Sequence, residues 1–212
     1  MPSFVETRTA LHQLARFVLG EELKGTTDLV TLRVTRGGFG QPERLVDGLQ
    51  RRLRVDGTSL VLQHGEHETW TDITTVAAAC KLADIAVRAD VPEPDAPLAV
   101  DPVHVATLAR FHAFVDETLA ELCRRRRHDD PTIPQLFPHH FDVAITLTEV
   151  TIGGSPGDED HDAPYLYVSP WTLRPHALWN EPWGVSVPWT PEMTATEALA
   201  FFEEGYVAAT SA

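Results

Sequence analysis

The chain has 212 residues and carries 17 Lys and Arg against 31 Asp and Glu, which gives a formal net charge of −14. This length allows a stable core without disulfides, and the negative charge repels a phosphate backbone, so we do not expect nucleic acid as a partner. The chain begins without a basic stretch and has no 18-residue apolar run, so we expect a cytoplasmic protein with no membrane partner.

The first half of the chain is expected to contain a helix, a set of strands and a closing helix. Leu11, Leu14 and Phe17 have the spacing of one apolar helix face. Asp56-Gly57 supplies a hairpin turn between two of the strands. Strands are predicted over residues 29–35, 49–55, 59–63 and 68–73, and the closing helix over residues 77–89.

Residues 91–101 are rich in proline, which removes backbone donors and restricts the preceding residue. We therefore interpret this segment as a linker between a first half, residues 1–90, and a second half, residues 102–212.

The second half repeats the same order of elements. Asp101 is expected to cap a long helix that begins with Pro102. Thr194 and Glu197 have the spacing of a capping box at the start of the last helix. The apolar face of that helix consists of Leu199, Phe202 and Tyr206. Strands are predicted over residues 141–150, 165–168 and 183–187.

Three short matches recur in order in the two halves and indicate an internal duplication. The matches pair residues 14–17 with 108–111, 34–38 with 150–154, and 70–71 with 189–190. The glycine-rich segments at residues 37–40 and 153–157, which overlap the second pair, are interpreted as turns. The fold class predicted is therefore α+β, with two related αβββα halves whose antiparallel strands are packed by helices.

His140 and Asp142 are the candidate catalytic residues. On an extended chain they lie two residues apart and share one face, where an imidazole and a carboxylate converge on one ligand or act as a base with its orienting group. The alternative is a histidine at a strand end that simply hydrogen-bonds its neighbour.

An acidic run, Asp158-Glu159-Asp160-His161-Asp162, follows a glycine-rich segment. It does not match a calcium loop, because Ala163 takes the sixth position and Ser169 the twelfth. A solvated polar loop is one interpretation. The other is a divalent-metal site, with ligands drawn from His140, Asp142, Asp160 and His161.

A group of aromatic residues surrounds this run and offers flat surfaces that stack against a sugar, a base or an aromatic ligand. The alternative is that the rings fill the core. The ligand-binding candidates are Asp158, Tyr165, Tyr167, Trp171, Trp179, Asn180 and Trp183.

Several segments resemble a family of uncharacterised bacterial proteins. The resemblance is carried by residues 136–145, 154–158, 164–171 and 179–184, and more faintly by 31–40. It implies no activity, cofactor or catalytic residue. Its pattern favours His140, Asp142 and Asp158 over His161 and Asp162 as members of a site.

No motif in the chain dictates a reaction: it has no His-Glu-x-x-His helix and no Cys-x-x-Cys pair, and residues 153–157 have Gly-x-Ser-x-Gly spacing but no predicted helix begins directly after them. The leading hypothesis is a small-molecule-binding protein with an aromatic, His- and Asp-lined pocket in its second half. One alternative is a metal-assisted hydrolase or isomerase that uses His140 and Asp142. Another is an interaction module whose tryptophans dock a partner or complete a homodimer.

Overall fold

The computed structural model describes residues 1–24 and 30–211. The chain divides into two compact units. The first consists of Met1–Arg110 and Leu136–Phe141, and the second of Phe111–Gln135 and Asp142–Ala212. The predicted strand at residues 29–35 begins at Leu29, which lies outside the described residues.

The helices and strands confirm an α+β fold with two antiparallel sheets. The helices are α1 (Phe4–Leu14), α2 (Gly20–Leu23), α3 (Val76–Ala83), α4 (Pro102–Arg125) and α5 (Ala195–Thr210), with a π-helical turn at Ala15–Leu19 and a 3₁₀ turn at Arg127–Asp129. The strands of the first sheet are β1 (Arg33–Thr35), β2 (Gly38–Gly40), β3 (Arg44–Val46), β4 (Leu49–Asp56), β5 (Ser59–His64) and β6 (His67–Asp72). The remaining strands are β7 (Gln135–Phe137), β8 (Asp142–Leu147), β9 (Val150–Ser155), β10 (Tyr165–Pro170) and β11 (Val185–Pro188).

The first helix begins with a capping box in which Ser3 and Glu6 exchange side-chain and backbone hydrogen bonds. Leu11 and Leu14 are buried, as their spacing predicts. The sequence gives no signal for the π-helical turn that follows, which adds one residue to the turn before α2.

The first sheet has the order β1-β2-β4-β5-β6, with β3 paired to β4. Gly57 has φ 57° in the predicted hairpin turn between β4 and β5. The interpretation of residues 37–40 as a turn is wrong for Gly38–Gly40, which is strand β2. A Cβ at Gly38 would lie 2.4 Å from the Val55 carbonyl oxygen, so glycine serves close strand packing here.

Helix α3 ends at Ala83, six residues before the end predicted for it. Asp84 has φ 59°, a left-handed conformation that directs the chain out of the helix, and the Ile85 N–H bonds the Cys80 carbonyl. The proline-rich segment then returns to the start of α3, where Ala77 N–H donates to Pro94 O and Leu98 N–H to Thr74 O.

Within the second unit the strand order is β11-β10-β9-β8. The predicted single strand at residues 141–150 is wrong: Thr148 has φ 56° and turns the chain between β8 and β9. The interpretation of Gly153 as part of a turn is also wrong, because it lies within β9, where a Cβ would be 2.6 Å from the Val143 carbonyl oxygen.

The two long helices begin where the sequence predicts. The Asp101 carboxylate accepts from the Val103 N–H at 2.9 Å, and Thr194 and Glu197 form the expected capping box. A Cβ at Gly205 would lie 2.7 Å from Val168, so α5 packs directly on β10. The predicted apolar face of α5 is buried at Leu199, Phe202 and Tyr206. No helix in residues 1–24 and 30–211 has the length and apolar character needed to cross a membrane.

Candidate functional site

Strand β10 divides its side chains between the two faces of the second sheet. Leu166 and Val168 are buried on the face that packs on the helices, since Val168 contacts α5 at Gly205. Successive strand residues point to opposite faces, so Tyr165 and Tyr167 lie together on the other face.

The Tyr167 side chain extends from β10 across β9 and reaches β8. In the strand register Gly153 stands between Tyr167 and Ala144, and a Cβ at Gly153 would lie 2.9 Å from the Tyr167 Cζ atom. The absent side chain leaves room for the ring, whose hydroxyl donates a hydrogen bond to Asp142 Oδ2 at the start of β8. Burial first, and then the Asp142 carboxylate, raise the pKa of Tyr167, which keeps its hydroxyl protonated.

Asp158 is held in the loop after β9 by several donors. Its Oδ1 accepts from the backbone N–H groups of Asp160 and His161, both at 2.9 Å, and its Oδ2 accepts from the Tyr165 hydroxyl at 2.5 Å. Burial alone would raise the pKa of Asp158, but these hydrogen bonds outweigh it and lower the pKa. Asp158 is therefore an ionised carboxylate bound to a tyrosine.

His161 bridges two carboxylates from different segments. Its Nδ1 lies 3.1 Å from Asp158 Oδ1 and its Nε2 lies 3.2 Å from Glu181 Oε1. Each ring nitrogen thus lies within hydrogen-bonding distance of a carboxylate oxygen, and a protonated ring can donate to both. Burial lowers the pKa of His161, but the bonds to Asp158 and Glu181 raise it above its ordinary value on balance.

Trp183 completes an aromatic surface. Its ring centroid lies 5.9 Å from that of Tyr167 and 6.3 Å from that of Tyr165, while the His161 ring lies 4.6 Å from Tyr165. We call this set of residues the tyrosine–carboxylate cluster. Its members are Asp142, Asp158, His161, Tyr165, Tyr167, Glu181 and Trp183. Three carboxylates and one imidazole give the cluster an excess of negative charge.

His140 does not lie on the strand that carries Asp142. Residues 138–141 form a turn in which the N–H groups of His140 and Phe141 bond the Phe137 carbonyl, and Phe141 has φ 64°. The two-residue spacing therefore does not place His140 and Asp142 on one face, because the chain between them is not extended. The prediction that they share a strand face is wrong.

Three of the predicted ligand residues lie outside the cluster. Trp171 is 65% exposed and donates through Nε1 to the Thr151 hydroxyl at 3.2 Å. Trp179 donates through Nε1 to the Arg174 carbonyl at 2.7 Å. Asn180 uses both ends of its amide on the Ser186 backbone, at 2.9 and 3.0 Å, which fixes the turn before β11.

The predicted metal ligands do not converge. In residues 1–24 and 30–211 there is no group of three His, Cys, Asp or Glu side chains that could hold a metal ion. Asp160 is exposed, and its backbone N–H donates a hydrogen bond to Asp158 Oδ1.

Two residues of the site were missed at the sequence level. Glu181 joins the cluster through His161 and accepts from the Ser186 hydroxyl at 2.8 Å. The sequence signal for Glu181 is an acidic residue within the tryptophan-rich segment at residues 179–183. Gly153 gives no such signal, because its role depends on the strands that pack on either side of it.

A groove of about 390 Å³ lies in the first unit. Residues of α1 form one wall and the proline-rich segment forms the other. None of the residues predicted for a site lines this groove.

Comparison of the chain with family models, with curated proteins and with solved structures gives no match. By its fold, the chain is an α+β protein with two antiparallel sheets. The second sheet carries aromatic and acidic side chains on the face away from its helices.

Proposed function

We propose that the second unit binds a small molecule with a flat face and several hydrogen-bond donors, of the sugar or aromatic-amine kind, at the tyrosine–carboxylate cluster. One observation carries this proposal: the ring centroids of Tyr165, Tyr167 and Trp183 lie within 6.3 Å of one another, and three carboxylates lie beside them. Aromatic faces stack on flat ligands and attract cations, and carboxylates accept from hydroxyl and ammonium groups.

The cluster has an accessible rim above a buried floor. The side chains of Asp158 and His161 are 42% and 31% exposed, whereas Tyr165 is buried. A ligand thus reaches Asp158 and Glu181 by replacing the His161 ring between them. The tyrosines stay in place, because their hydroxyls are bound to Asp142 and Asp158.

Quenching of tryptophan fluorescence tests this proposal. The probes are a set of aromatic amines, a set of monosaccharides and a matched set of aromatic carboxylates, measured against the parent protein and the variants Trp183→Phe and Trp171→Phe. We expect amines or sugars to quench the parent and Trp171→Phe, with the quenching largely lost in Trp183→Phe. Equal quenching by the carboxylates, or quenching that follows Trp171, would contradict the proposal.

A second candidate function is partner binding through the segment that follows β10. Trp171 and Leu173 are 65% and 42% exposed, and residues 171–177 are all exposed. Large apolar side chains on an exposed segment are typical of interfaces. If this segment completes a homodimer, Trp171→Ala will convert a dimer to a monomer in sedimentation experiments, whereas Trp183→Ala will not.

A third hypothesis is a metal-assisted hydrolase or isomerase that uses His140 and Asp142. His140 is in the turn before β8, and Asp142 is bound by Tyr167. Metal analysis of the parent beside a His140→Ala, Asp142→Ala double variant tests it, since a stoichiometric metal lost from the variant would support this hypothesis over ligand binding.

We also infer that residues 1–90 and 102–212 are duplicated halves. Each contains a helix, antiparallel strands and a closing helix in the same order, which supports a common origin. Of the three sequence matches, residues 14–17 and 108–111 both lie in the opening helical region. The middle match is not equivalent, since residues 34–38 include a turn whereas residues 150–154 lie in β9.

A further inference from the structure

Strand β6 forms one edge of the first sheet and is the most exposed strand of that sheet. It pairs with β5 on one side, and no described strand pairs with its other side. All six residues, His67–Asp72, are exposed, and Trp70 is 54% exposed. The side chains on both faces of β6 are therefore accessible to solvent.

The hydrogen-bond pattern shows which backbone groups point to the open edge. Ile73 N–H donates to Thr58 O at 3.0 Å, and these two residues stand opposite each other in the β5–β6 register. Hydrogen-bonded and non-hydrogen-bonded pairs alternate along an antiparallel ladder. His67, Thr69 and Thr71 therefore bond β5. The residues that direct their N–H and C=O groups outward are Glu68, Trp70 and Asp72.

The bonds on the other side of β5 agree with this alternation. Gly65 N–H donates to Gln50 O at 2.7 Å, which makes this pair hydrogen-bonded in the β4–β5 register. Alternate residues of β5 therefore form backbone hydrogen bonds with β4, and the residues between them form backbone hydrogen bonds with β6. The outward N–H and C=O groups of β6 form a regular row that an added strand can pair with.

The charge along this edge is mainly negative. Glu68 and Asp72 lie on β6 itself, and Glu66 lies in the turn before it. Arg54 offsets part of this charge through its ion pair with Glu68 at 2.8 Å, and it also lies over the Trp70 ring at 5.4 Å. The remaining carboxylates favour an added strand with basic side chains.

From these observations we propose that the open edge of β6 accepts an extended basic segment of a partner protein as an added strand. The outward backbone groups would supply the pairing, the carboxylates would select Lys or Arg, and Trp70 would pack on the aliphatic part of those side chains. This surface belongs to the first unit and does not depend on the function proposed for the second.

A second copy of the chain is a poorer occupant of this edge. In antiparallel pairing the outward residues must face outward residues of the other strand. If Trp70 pairs with Trp70 of the second copy, Glu68 lies opposite Asp72. If Thr69 pairs with Thr69 of the second copy, Glu66 lies opposite Asp72. Like charges directly opposite each other destabilise a strand pair, and each chain carries a net charge of −14.

Fluorescence anisotropy with short labelled peptides tests the proposal on the full chain. The probe is an alternating Thr-Lys heptapeptide, with a Thr-Glu heptapeptide as its charge control. A third peptide has the Thr-Lys sequence but carries an N-methyl group on every residue, which removes the strand donors on both of its edges. We expect the basic peptide to bind at least about tenfold more tightly than either control, with an affinity that falls as salt rises.

Two variants at one position separate strand addition from charge attraction. Trp70→Ala removes the ring, whereas Trp70→Pro removes the ring and the outward N–H but leaves the β5–β6 bonds intact. Binding by Trp70→Ala that is further weakened severalfold in Trp70→Pro supports the proposal. Equal binding by these two variants, or by the methylated and unmethylated peptides, would overturn it. A dimer in sedimentation that Trp70→Pro dissociates would overturn the choice of partner.

Discussion

At the scale of single residues, the second sheet is organised by hydroxyl groups that donate to carboxylates. Tyr165 donates to Asp158, and Tyr167 donates to Asp142 across a glycine. Hydrogen bonds to ionised groups are stronger than neutral ones, so each fixes a ring as well as a carboxylate. The two tyrosine rings are therefore held in fixed positions.

Replacement of Tyr167 by Phe tests the contribution of one such bond. The Asp142 carboxylate is largely buried and loses its Tyr167 donor, so we expect the free energy of unfolding to fall by about 2 kcal/mol in urea denaturation. The control is Tyr206→Phe, which removes a bond to the neutral hydroxyl of Thr148 and is expected to cost about 1 kcal/mol. A smaller loss for Tyr167→Phe than for the control would contradict a charge-assisted bond.

His161 makes the stability of the second unit depend on pH. Because its pKa is higher in the folded than in the unfolded chain, the stabilisation is complete below about pH 6.5 and is lost as pH rises through the folded pKa. The thermal stability of the parent should therefore exceed that of His161→Gln by more at pH 5.5 than at pH 9. A difference that grows with pH would show that the imidazolium does not bridge Asp158 and Glu181.

At the scale of elements, sequence patterns identify α5 and the β4–β5 hairpin, because capping boxes, apolar spacing and Asp-Gly turns act within a few residues. They fail at β9, where Gly153 and Gly154 resemble a turn. A Cβ at Gly154 would lie 2.6 Å from Val115, and one at Gly153 would lie 2.9 Å from Tyr167. These glycines are required by neighbours distant in sequence, which no local pattern reveals.

The same limit explains the outcome for the site. Asp158, Tyr165, Tyr167 and Trp183 could be proposed from residue type alone, and they do lie together. Glu181 joins them only because a turn brings it to His161. The prediction fails for His140 because the left-handed conformation of Phe141 interrupts the strand that the alternating apolar pattern predicts.

Gly153→Ala tests whether the crossing of β9 by Tyr167 needs a glycine. The added Cβ would meet the Val143 carbonyl oxygen and the Tyr167 ring, at 2.6 and 2.9 Å, so a strand or the ring must shift. We expect a loss of about 2 kcal/mol in the free energy of unfolding, as for other overpacked sites, and weaker ligand quenching. Unchanged stability and quenching would show that the ring has another path to Asp142.

Glu22 joins α2 to the β3–β4 hairpin. Its side chain is 7% exposed and bonds Arg44, Arg51 and Gln41. Glu22→Ala leaves two mostly buried guanidinium groups without this partner, and we expect a loss of about 3 kcal/mol in urea denaturation. Glu43→Ala, which breaks an exposed pair with Arg52 at 3.6 Å, should cost less than about 1 kcal/mol. Similar losses for both variants would contradict a buried ion-pair network.

At the scale of the whole molecule, the net charge of −14 opposes compaction and association with other anions. Salt shortens the range of this repulsion from about 30 Å at 0.01 M to about 8 Å at 0.15 M. We expect the midpoint of thermal unfolding to rise by a few degrees over this range, measured by circular dichroism. A fall would mean that specific ion pairs outweigh the general repulsion.

The central claim is that the carboxylates of the tyrosine–carboxylate cluster bind the donors of a ligand. Calorimetric titration of the best amine or sugar into an Asp158→Asn, Glu181→Gln double variant tests this most directly, with Glu159→Gln as the control because it removes a charge from the same loop outside the cluster. The account predicts at least about tenfold weaker binding by the double variant and unchanged binding by the control. Equal affinities of the parent, the control and the double variant would contradict it.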